Sequence, residues 1–238
     1  MTGGPCDRVR MRLIAVTGAS PGIGKSALCT ALTRWLAQAG LSVDQFEEDH
    51  VLSRAAFATV AGDFTVTGAV SPTVLIDATV RYLADAEAAG VEVVVMDSLV
   101  PYVPSLLAFG HSEQNIAEIL DELAARIATI PTLAVFLDGD AATGLRRAAA
   151  REGPEWLRWY AAKLARYGLV GHDADLASLS DYLARERDTT LHILRRQPWD
   201  LIVVDHADKV PPDDVFHTVV TAVMAFLPKP PTDFRRPT

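Results

Sequence analysis

Near the N-terminus a short apolar run, residues 13–17, turns through Ala19-Ser20-Pro21-Gly22-Ile23-Gly24-Lys25-Ser26 into a helical pattern spanning 27–39. This succession of strand, small-residue turn and helix leaves few choices of fold. Glycines at 22 and 24 reach backbone conformations closed to other residues, and they let a ligand approach with no Cβ in the way. Pro21 fixes its own φ and stiffens the turn. The helix then aims its unpaired N–H groups back at the same point, which makes an anion site. Leu28, Leu32, Trp35 and Leu36 share one side of that helix, so it needs a partner surface to cover it.

The spacing from Ala19 to Gly24-Lys25-Ser26 is that of a phosphate-binding loop, with the small Ala19 at its first position and Gly18 just before it. In such a loop the lysine reaches the terminal phosphates and the hydroxyl ligates magnesium. The bland alternative is an ordinary glycine-rich turn, and the strand before and amphipathic helix after argue against it. Ser20, Pro21, Gly22, Ile23, Gly24, Lys25, Ser26 and Ala27 are therefore the expected binding residues for a nucleoside triphosphate, and ATP and Mg2+ the expected cofactors.

Strand-like and helix-like segments alternate along the whole chain, as in a parallel sheet covered on both faces. The apolar β-type runs are 13–17, 42–46, 91–96, 132–137 and 201–204, which predicts a five-stranded α/β core. Helices are expected over 53–61 and 72–89, the latter capped by Ser71 with Pro72 at its first position and stopped by Gly90. Another follows Ser112 and runs to about 129. A long Arg-rich helical stretch, 141–196, is interrupted at Gly153-Pro154 and at 168–171, and Pro211-Pro212 opens the last helix. The expected organisation is a loose leader over 1–10, one domain over 11–227, and a Pro-rich tail over 228–238.

In open sheets of this kind ligands bind beyond the carboxyl ends of the strands. Asp97 follows four apolar residues, so it can hold magnesium or take a proton from an attacking hydroxyl; a turn-capping role is the alternative. Ser98 stands where mechanical ATPases carry a second acid, which counts against a motor, and the absence of an Asn-Lys-x-Asp motif counts against a GTPase switch. Glu47, Glu48 and Asp49 crowd the end of the second strand. One of them, best Asp49, is the expected base for an acceptor hydroxyl, against the alternative of a solvated loop. Arg147 and Arg151 lie four apart on one helix face and suit a transferring phosphoryl group. Trp156, Trp159 and Tyr160 can stack on a ligand, although aromatic residues at helical spacing are more often core.

Together these residues resemble the P-loop kinases of nucleotides and nucleosides, in particular the thymidylate-kinase-like branch. The loop 19–26, Asp97 after the third strand, the Arg-rich segment after Asp138, and the ending 201–205 followed by Val210-Pro211-Pro212 carry the likeness. The resemblance implies a sheet in the order 2-3-1-4-5, a helical lid over about 141–196, and an adenine lying against the turn at Asp205 and Ala207. The departures have chemical weight. That branch pairs the acid after the third strand with an Arg for the acceptor's phosphate, and here the pair is Asp97-Ser98. An acidic acceptor side without that Arg repels a monophosphate. It suits a neutral or cationic acceptor with a free hydroxyl, as in uridine-kinase-like and small-molecule kinases. Magnesium would sit on Ser26 and Asp97. A nucleoside monophosphate kinase and a non-enzymatic ATP-binding switch remain as alternative expectations.

A net charge of −8 argues against a nucleic-acid partner, and no apolar run is long enough to span a bilayer. Two cysteines, Cys6 and Cys29, give neither a disulfide framework nor zinc spacing. The expected partner is a small-molecule acceptor and the expected compartment the cytoplasm; a homodimer is compatible with the sequence, which does not decide the assembly.

Overall fold

The computed structural model describes residues 10–228; the leader before Arg10, with Cys6, and the Pro-rich tail after Pro228 lie outside the described residues. Five parallel strands form one sheet: β1 (Arg12–Gly18), β2 (Val43–Phe46), β3 (Val93–Asp97), β4 (Thr132–Leu137) and β5 (Asp200–Val204). Their order is β2-β3-β1-β4-β5. β1 is therefore central, with Val16 beside Asp97 of β3 and Gly18 beside Leu137 of β4. The chain moves outward one way after β1 and the other way after β3, so the space beyond the ends of β1 and β3 is where a ligand can enter.

The strands are apolar throughout because both sheet faces are buried. Side chains alternate along β1 as the two-residue period demands. Leu13 and Ala15 join a core with α3 (Pro72–Ala88) and α5 (Glu113–Arg126), while Ile14 and Val16 join a second core with α1 (Lys25–Gln38) and α9 (Pro212–Phe226). Cys29 is fully buried in that second core and is a packing residue; burial pushes its thiol well up. Met11, just before β1, is also buried.

The segment after β2 differs from expectation. A helix over 53–61 is replaced by two 3-10 turns, Glu48–Leu52 and Ala55–Phe57, and then α2 (Ala58–Thr67). The reason is tertiary. Arg54 extends between the two turns and donates to both carboxylate oxygens of Asp44, at 2.8 and 3.0 Å, and to the Gln45 carbonyl at 3.0 Å. Tyr82 donates to the same carboxylate, and Phe46, Phe57 and Tyr82 form an aromatic cluster beneath it. Ser71 stands at the N-cap of α3 as expected, but its side chain makes no capping bond; Ser112 does cap α5, accepting from Asn115 N at 3.3 Å.

The Arg-rich stretch is three helices, α6 (Ala141–Glu152), α7 (Trp156–Arg166) and α8 (Leu176–Leu194). They share a small core of Ala141, Leu145, Leu164, Leu179 and Leu183. An ion pair ties this unit to the sheet. Arg187 of α8 donates through Nε to Asp138 Oδ1 at 2.6 Å and through Nη2 to Oδ2, just beyond β4. Gly139 N adds a third donor at 2.8 Å, and the Arg187 guanidinium holds the Asp138 carboxyl below the usual carboxylate range. Among the described residues no helix is long and apolar enough to cross a membrane.

Candidate functional site

The turn between β1 and α1 takes the geometry its glycines permit. Gly22 and Gly24 have φ of 77° and 108°, both in the left-handed region. Gly24 is the N-cap of α1; no side chain caps it and no acid lies in the first turn. The orphan N–H groups at the start of α1 are therefore left for a ligand. Lys25 folds back over the turn and donates to the Ser20 carbonyl at 3.0 Å. Ile23 points the other way, buried against Gly18 and Gly139, and pins the turn to the core.

A second contact fixes the turn from above. The backbone of α6 at Gly144 presses on it so closely that a Cβ on Gly144 would stand 2.1 Å from Ser20 Oγ and 2.7 Å from the Pro21 carbonyl oxygen. A Cβ on Gly22 would in turn meet the Gly144 carbonyl oxygen at 2.2 Å. Ser20 Oγ is buried beneath this contact without a hydrogen-bond partner. α6, the first of the three helices, is thus seated on the turn.

The turn forms the floor of a cavity of about 410 Å³. Ser20, Pro21, Gly22, Gly24, Lys25, Ser26 and Ala27 line it, together with Thr17 and Gly18 at the end of β1. Glu48 lines it from the end of β2. Ser98, Pro104 and Ser105 come from the segment between β3 and α5, which carries α4 (Val103–Ala108). That apolar segment divides its roles, for Val100, Tyr102, Val103 and Leu106 are buried in the core. Arg151, Trp156, Trp159, Tyr160, Lys163 and Glu186 close the far side.

Burial lowers the pKa of the Lys25 ammonium, and Asp97, Glu48 and Glu186 act against that shift in decreasing order. Asp97 is buried at the end of β3 and accepts from Ser98 Oγ at 2.8 Å. It lies beneath the lining and acts on Lys25 through charge. Lys25 thus has three carboxylates around it and no ion pair within 4.0 Å among the described residues, an arrangement suited to an added polyanion that brings its own cation.

Several expected site residues stand elsewhere. Of the three acids after β2, Glu48 reaches the cavity wall and Asp49 does not. Asp49 instead shares an exposed group with Glu47 and His50, whose ligand atoms lie within 4.8 Å of one another. Glu47 and His50 are held by local bonds, the Glu47 N–H donating to His50 Nδ1 at 3.1 Å. Glu48 and Asp49 open a 3-10 turn of three residues per turn, so their side chains leave it about 120° apart and do not share the cavity face. Arg151 lines the cavity, but Arg147 does not: its Nη2 donates to the Asp208 carbonyl at 2.5 Å and secures the turn after β5. Asp205 is exposed on that turn and Ala207 is buried, its N–H donating to the Asp138 carbonyl at 2.7 Å; neither lines the cavity.

Sequence reasoning missed Glu186. The signal was present, because Leu179, Tyr182, Leu183, Glu186 and Thr190 fall on one helical stripe. A carboxylate on the inward side of an amphipathic helix asks for a partner.

No protein-family model matches this sequence, and no curated protein matches it.

Proposed function

We propose that this protein is an ATP-dependent phosphotransferase that moves the γ-phosphoryl group to a hydroxyl of a small molecule. The observation that carries the reading is the cavity. A glycine turn with uncapped helix N–H groups and Lys25 forms one wall, and a carboxylate, Glu48, stands on another.

The residues present fit the groups the reading requires. Gly24 leaves open space that no Cβ fills, the Ser26 side chain is exposed at the cavity and supplies an oxygen donor of the kind magnesium prefers, and the buried Asp97 carboxylate adds negative charge from beneath the lining. Magnesium and the triphosphate, when bound, supply the transferable phosphoryl group and neutralise charge on it. The chain's own parts then do the following. Lys25 and the loop N–H groups hold the phosphates. Arg151 stabilises charge that develops on the transferring group. Glu48 accepts the proton of the acceptor hydroxyl, the task expected of its neighbour Asp49. Arg147 positions the turn after β5 and touches no reacting atom. Most of the rate enhancement comes from placing the reactants and from charge stabilisation.

The test is ADP formation with ATP and magnesium over a library of nucleosides, nucleoside monophosphates and amino alcohols. Acceptor-dependent turnover with a non-phosphorylated hydroxyl compound, lost in Lys25→Ala, is the expected result. Turnover with monophosphates alone overturns it.

A further inference from the structure

The far side of the cavity has a chemistry of its own. The rings of Trp156 and Tyr160 stack with centroids 5.0 Å apart and planes 6° from parallel, and Trp159 adjoins Trp156 at 6.4 Å. Glu186 faces these rings from α8. Its Oε2 accepts from the Tyr182 hydroxyl at 2.7 Å, and this is the one hydrogen bond of its carboxylate among the described residues. Neither Glu186 nor Glu48 has an ion pair within 4.0 Å among the described residues. Both carboxylates nevertheless act on the Tyr160 phenol, whose pKa is raised by burial first and by Glu186 and Glu48 next. The two acids, one from the end of β2 and one from the lid, therefore converge on a single aromatic surface.

Burial raises the pKa of the Glu186 carboxyl against the pull of Tyr182, Lys25 and Lys163. A carboxylate withdrawn from water without a cation is unfavourable, and an entering cation relieves it. Aromatic faces attract cations and repel anions. The chain displays this preference itself, since Lys163 Nζ sits 5.5 Å above the Trp159 ring.

We propose that this face is an ammonium-binding subsite. The acceptor is an amino-bearing alcohol whose ammonium group lodges between Glu186 and the stacked Trp156–Tyr160 pair, with its hydroxyl toward Lys25. The hydroxyl's role rests on the phosphotransferase reading, whereas the ammonium site stands on the far wall alone. Glu186 is a specificity residue here, and Glu48 keeps the proton-accepting task.

Calorimetric titration of the full chain with tyramine, glucosamine and 2-aminocyclohexanol, each beside its N-acetyl form, tests the subsite. ATP binding is measured separately. At least one amine is expected to bind ten-fold or more tightly than its amide. Glu186→Gln, which keeps the acceptor for Tyr182, is expected to erase that preference, and Glu186→Asp to retain part of it. ATP binding should be retained in both variants and should tighten in Glu186→Gln, which removes a negative charge acting on Lys25. Equal binding of amines and amides throughout the set overturns the proposal, as does an amine preference undiminished in a folded Glu186→Gln protein. Amine preference in a protein that does not bind ATP supports the subsite and refutes the phosphotransferase reading, so the two fail separately.

Discussion

Gly144→Ala is the sharpest probe of how α6 and the glycine turn after β1 depend on each other. An interior helical Gly→Ala change ordinarily stabilises by up to about 1 kcal/mol. Here the new methyl would stand 2.1 Å from Ser20 Oγ and 2.7 Å from the Pro21 carbonyl oxygen. The hydroxyl can rotate away, but the carbonyl is backbone, and it must retreat by a few tenths of an ångström or α6 must lift. Overpacking of this kind costs about 1–3 kcal/mol. The two effects largely offset each other, leaving a net loss of about 0–2 kcal/mol and a fall in Tm of at most about 8 °C. ATP affinity should fall more visibly, because the strain is relieved by moving the loop away from its anion-ready shape. Restoring that shape on binding takes back about 1.4 kcal/mol, a ten-fold weaker affinity. Calorimetric ATP titration and thermal unfolding of the same samples measure both. Gly62→Ala in α2 is the control: its Cβ meets nothing within 4 Å, so it should raise stability by up to about 1 kcal/mol without touching ATP affinity. A Gly144→Ala protein with a raised Tm and ATP affinity within two-fold of the parent would refute the coupling.

Glu48→Gln should lower kcat by about 10²–10⁴-fold, while Asp49→Asn stays within about three-fold, with steady-state kinetics deciding between the neighbours. Arg187→Leu leaves Asp138 without its main partner and should cost about 2 kcal/mol at pH 7 by urea unfolding. Because Arg187 holds the folded-state pKa of Asp138 below 3.8, that stability is present above pH 3.8 and disappears as the pH falls through the folded value, so parent and variant should converge there. Glu186 has the opposite sign: its folded-state pKa lies above 4.5, so the folded protein binds the extra proton and the residue weakens stability as the pH rises from 4.5. Without nucleotide, the Tm of Glu186→Gln should therefore gain on the parent between pH 4.5 and neutrality; a constant difference contradicts the assignment of that shift.

Much of the scaffold was legible from local pattern. Strand runs buried on both faces read as continuous apolar segments, and glycine and proline marked where elements stop. The five strands, α3, α5 and α9 lie within a few residues of their expected bounds for that reason. The order β2-β3-β1-β4-β5 came from the resemblance carried by the loop and matches the structure. The segment after β2 was misread because Arg54 binds Asp44 across a turn, a pairing ten residues apart that no helical or strand period encodes.

The sequence by itself determined the loop side of the candidate site. The loop residues are contiguous, and their spacing carries their geometry: two glycines free to adopt positive φ, then a lysine and a serine at a helix start. Only the tertiary structure decided the other side. Glu48 and Glu186 are far apart in the chain, yet both act on Tyr160. The choice of Glu48 over Asp49 depends on the rotation of one 3-10 turn, and the presence of Glu186 depends on Arg187 anchoring α8 to the end of β4. The physical reason is range. Backbone conformation is set by neighbours in sequence, whereas convergence of charges is set by packing between elements, and packing is written in no single stretch of chain.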